Sequence, residues 1–82
     1  MNNYIACISD TLYLLLERAQ ESEIAAKELP SQDEQAYEIA GGQALTHSLH
    51  TWKNQLETFG IGSELGEVWN RLNAFLQERG LP

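Results

Sequence analysis

Two histidines, one cysteine and a run of acids are the residues of this 82-residue chain whose types and spacing could do chemistry. His47-Ser48-Leu49-His50 sets two imidazoles three positions apart, close enough on a helix to share a metal ion. No cysteine or acid stands beside them in sequence, and the Glu-x-x-His pattern of carboxylate-type di-metal bundles is missing. Counted from Leu45, Leu49 and Trp52, both rings fall on the outer face of a helix, where solvated histidines are expected. No metal site and no cofactor are expected.

Cys7 is the only cysteine, so a disulfide within the chain is ruled out. It lies in the apolar stretch Tyr4-Ile5-Ala6-Cys7-Ile8. A thiol there is expected to be a small core residue and not a nucleophile. Gly41-Gly42 has no strand before it and no Lys after it, so it carries no phosphate-loop signal. The chain is expected not to be an enzyme. The lone thiol suggests a reducing compartment, hence the cytoplasm. No basic residue precedes the first apolar stretch, and Asp10 interrupts it, unlike a signal peptide. No segment reaches the ~20 apolar residues that cross a bilayer.

Ile8-Ser9-Asp10 through Leu14-Leu15-Leu16-Glu17-Arg18, with Lys27 downstream, resembles the opening of the all-helical chorismate mutases. Those enzymes hold a dianionic substrate with several Arg and Lys residues. Here nothing basic precedes Asp10, only five Lys and Arg occur in the whole chain, and the Arg-to-Lys spacing departs from the family's. An amphipathic helix with exposed charges reads the same way, and no family is assigned.

The charge is the more informative feature. Twelve acids oppose five Lys and Arg, for a formal net of −7. This disfavours direct nucleic-acid binding, which runs on Lys and Arg, and an anionic membrane surface. Seven acids are concentrated in one segment: Glu17, Glu21, Glu23, Glu28, Asp33, Glu34 and Glu38. Only Arg18 and Lys27 oppose them there, a net of −5. Such a run can be merely a solvated face. It can also be a surface complementary to a basic partner protein, steering encounter and fixing partner choice.

Helices must position these groups. Asn2 or Asn3 can cap a first helix, with a seam of Ile5, Ile8, Leu12, Leu15, Ala19, Ser22, Ala26 and Leu29 flanked by Tyr4, Cys7, Leu14 and Leu16. Pro30 breaks it. Ser31 and Glu34 have capping-box spacing for a second helix, with a seam of Leu45, Leu49, Trp52, Leu56 and Phe59. Gly41-Gly42 either kinks that helix or admits a close neighbour. Gly60 and Ile61 read as a C-terminal stop, and Ser63 as the cap of a third helix bearing Leu65, Val68, Leu72 and Phe75, with Trp69 and Leu76 beside them. The helices are expected near 3–29, 32–59 and 64–79. Ile5, Ile8, Leu12, Leu15, Leu49, Trp52, Leu56, Leu65, Val68, Leu72 and Phe75 are expected in the core.

The fold class is therefore all-α, a single domain over 1–82. An antiparallel helical hairpin carries a shorter third helix, as a three-helix bundle that is expected to dimerise. The third helix covers only half of the hairpin. The open half exposes Ala19, Ala26, Leu29, Tyr37, Ile39, Ala40 and Ala44, the expected seam of a homodimer. The expected function is a small acidic, non-catalytic protein that inhibits or regulates a basic partner, in the manner of an immunity protein, an antitoxin-like inhibitor or a phage-encoded inhibitor. The alternative is a helical chaperone or structural module that shields a partner helix.

Overall fold

Asn2 and Ser31 start the two long helices as their side chains allow. The computed structural model describes residues 2–82; Met1, included in the domain read from sequence, lies outside the described residues. Asn2 Oδ1 accepts from the Tyr4 amide at 2.7 Å, and α1 runs Asn3–Glu28. Ser31 Oγ accepts from the Glu34 amide at 3.1 Å, and α2 runs Gln32–Thr58. Asp33 and Glu34 stand in the first turn of α2, where the helix dipole favours negative charge. At Gly60 (φ +70°) the chain takes a left-handed turn that a side chain would strain. The Ile61 amide then donates to the Leu56 carbonyl and the Gly60 amide to that of Glu57, closing a Schellman stop.

The third segment is not one helix from 64 to 79. A 3₁₀ turn, Gly62–Leu65, drops Leu65 into the core, and Gly66 (φ +65°) re-aims the chain. The helix α3 then spans Glu67–Gln77. Ser63 is exposed and caps nothing; Gly66 is the residue before the helix. Where the chain passes under Trp69, a Cβ on Gly62 would stand 2.4 Å from the indole, so only glycine fits there.

The chain is all-helical, with three α-helices and no strand among the described residues. The core gathers Leu12, Leu16, Ala19, Leu49, Leu56, Leu65, Val68, Leu72, Phe75 and Leu76. On α1 the buried line is Leu12–Leu16–Ala19, not Ile5–Ile8–Leu12–Leu15. Ile5, Ile8 and Leu15 are half-buried at its edge, and Leu16, expected only to flank the seam, is fully buried. The cause is α3, which packs beside α1 as well as α2 and draws the buried arc toward itself.

The same rotation corrects α2. Trp52 is 43% exposed, outside the core in which it was expected, and Phe59, expected on the seam, is 74% exposed. Lys53 takes the inward position. Its stem is buried while Nζ reaches Glu57 at 3.6 Å, as long amphipathic side chains do. Cys7 is exposed, not core, because it sits on the far side of α1 from the buried line. Gly41-Gly42 does not interrupt α2. A Cβ on Gly42 would stand 3.3 Å from Cβ of Ser22, so this glycine permits the close approach of α1.

Candidate functional site

The third layer stops partway along the hairpin. Arg71 of α3 donates to Glu17 at 3.0 Å and lies over the Tyr13 ring at 5.1 Å. Glu17 holds the Arg71 guanidinium charge above its ordinary affinity for the proton. Farther on, Arg79 forks onto both carboxylate oxygens of Glu23, donates to the Phe75 carbonyl at 2.6 Å, and stacks over that ring at 3.6 Å. The chain closes with a second Schellman pair, the Leu81 amide on the Leu76 carbonyl and the Gly80 amide on that of Gln77.

Beyond Arg79 only α1 and α2 remain. A groove of about 940 Å³ opens there between them. Ala26, Gly42 and Thr46 are buried along its floor, Ile24 and Ile39 are exposed on its walls, and Arg79 and Leu81 close one end. The Thr46 hydroxyl donates to the Gly42 carbonyl at 2.9 Å, so this buried floor carries no unsatisfied group.

The seven acids do not share one environment. Glu17 is engaged by Arg71 of α3 and Glu23 by Arg79, just past the end of α3. Sequence spacing missed these pairs because Arg71 and Arg79 lie more than fifty residues away, on α3 and in the turn just after it. Glu21, Glu28, Asp33 and Glu34 are exposed and Glu38 is half-buried, and among the described residues none of the five has an ion-pair partner. Four of these five, Glu28 to Glu38, lie at or beside the turn between α1 and α2, the end that α3 leaves open.

The residues expected to form a dimer seam are also divided. Ala19 and Ala26 are already covered within the chain, at 0% and 5% exposure, and are closed to a second subunit. Leu29 is half-buried, and its carbonyl accepts from Gln35 Nε2 at 2.7 Å. Ile39 faces the groove. Tyr37, Ala40 and Ala44 are exposed and, by helical spacing, fall together on the outward side of α2.

His47 is exposed beside the groove. His50 differs from its expected solvated position. It is half-buried, with Nε2 3.1 Å from the Pro82 carbonyl oxygen. Among the described residues no three His, Cys, Asp or Glu side chains come together as a metal cage. No described helix is long and apolar enough to cross a membrane. The chain matches no family model, no curated protein and no solved structure.

Proposed function

We propose that this chain is a small acidic binding protein that inhibits or regulates a partner protein with a basic surface, acting as a homodimer and without catalysis of its own. The observation that carries this reading is the placement of uncompensated charge. Arg71 of α3 and Arg79, just past its end, neutralise the two acids nearest to them, Glu17 and Glu23. Glu28, Asp33, Glu34 and Glu38 are left around the end of the hairpin where the groove also opens. Fixed negative charge around a partly apolar groove steers a basic partner and selects against acidic ones. An inhibitor of the immunity or antitoxin type is the class this suits, with the chain inside the cell beside its target.

The test is affinity capture from the source organism with the wild type and with Glu28→Gln/Asp33→Asn/Glu34→Gln. A basic protein retained by the wild type, released by salt and not retained by the triple variant is the expected result. Equal retention by both refutes the acidic tip as the recognition surface.

The groove also favours a second reading, a chaperone-like module that shields an apolar partner helix. Ile24, Ile39 and Leu81 would then supply the contact. Under that reading retention persists at high salt and is lost in Ile24→Asp/Ile39→Asp.

A further inference from the structure

We draw no further inference here: the strongest candidate, the groove between α1 and α2 beyond Arg79, walled by Ile24 and Ile39, belongs to the site already described, and nothing further in the structure shows what covers it.

Discussion

Arg79, just past the end of α3, holds both carboxylate oxygens of Glu23 on α1, fifty-six residues earlier in the chain. This bidentate pair marks where the third layer of the bundle ends. Everything on the turn side of it belongs to two helices alone. It also removes one acid from the surface available to a partner, so the free charge is displaced toward Glu28, Asp33, Glu34 and Glu38.

The pair is partly exposed, so its contribution is modest. A double-mutant cycle on Arg79→Met and Glu23→Gln, followed by urea denaturation, is expected to give a coupling of roughly 0.5–1 kcal/mol at low salt, shrinking as salt is added. A coupling of zero would mean the fork does not persist in solution.

Leu16, at 0% exposure, is as deep in the core as Leu12. Leu16→Ala and Leu12→Ala are each expected to cost about 2–5 kcal/mol. Leu14→Ala, two positions along but exposed, should stay within about 0.5 kcal/mol of wild type. Denaturation midpoints of the three variants check this; a Leu16→Ala midpoint equal to wild type would move Leu16 out of the core.

These contrasts show how far the sequence could be read. The capping residues Asn2 and Ser31, the stop at Gly60, and the lengths of α1 and α2 rest on local chemistry, which is written in neighbouring residues. The extent of the hairpin that α3 leaves open followed from counting residues. The rotation of each helix about its axis did not follow. Seam spacing treats α1 and α2 as a pair, but α3 packs against both and shifts the buried arc from Leu15 to Leu16 and from Trp52 to Lys53. Local spacing also cannot show that Arg71 and Arg79 neutralise Glu17 and Glu23, because the two helices meet only in the fold. Gly66 ends the 3₁₀ turn by a backbone conformation that the Ser63 cap signal masked.

Gly62 faces the Trp69 ring too closely for a side chain. Gly62→Ala is expected to destabilise by roughly 1–3 kcal/mol through overpacking, with a change in indole fluorescence as Trp69 is displaced. Because Trp52 also emits, the comparison is made in a Trp52→Phe background. An unchanged spectrum and midpoint would contradict the packing.

Zinc and chelators are expected to leave the melting temperature unchanged, since His47 and His50 have no third ligand beside them among the described residues. Thermal unfolding with and without zinc checks this. A stabilisation lost in both His47→Ala and His50→Ala would show a metal site after all.

The most direct test of the functional account is a nuclear magnetic resonance titration of the labelled chain with a basic amphipathic peptide built from leucine and lysine. The expected shifts cluster at Ile24, Glu28, Asp33, Glu34, Glu38 and Ile39 and weaken at high salt. Asp10, Glu57, Glu64, Glu67 and Glu78, the acids outside the clustered seven, serve as internal controls and are expected to stay nearly still. Shifts spread evenly over all twelve acids, or centred on the five controls, would contradict the claim that the hairpin tip is a recognition surface.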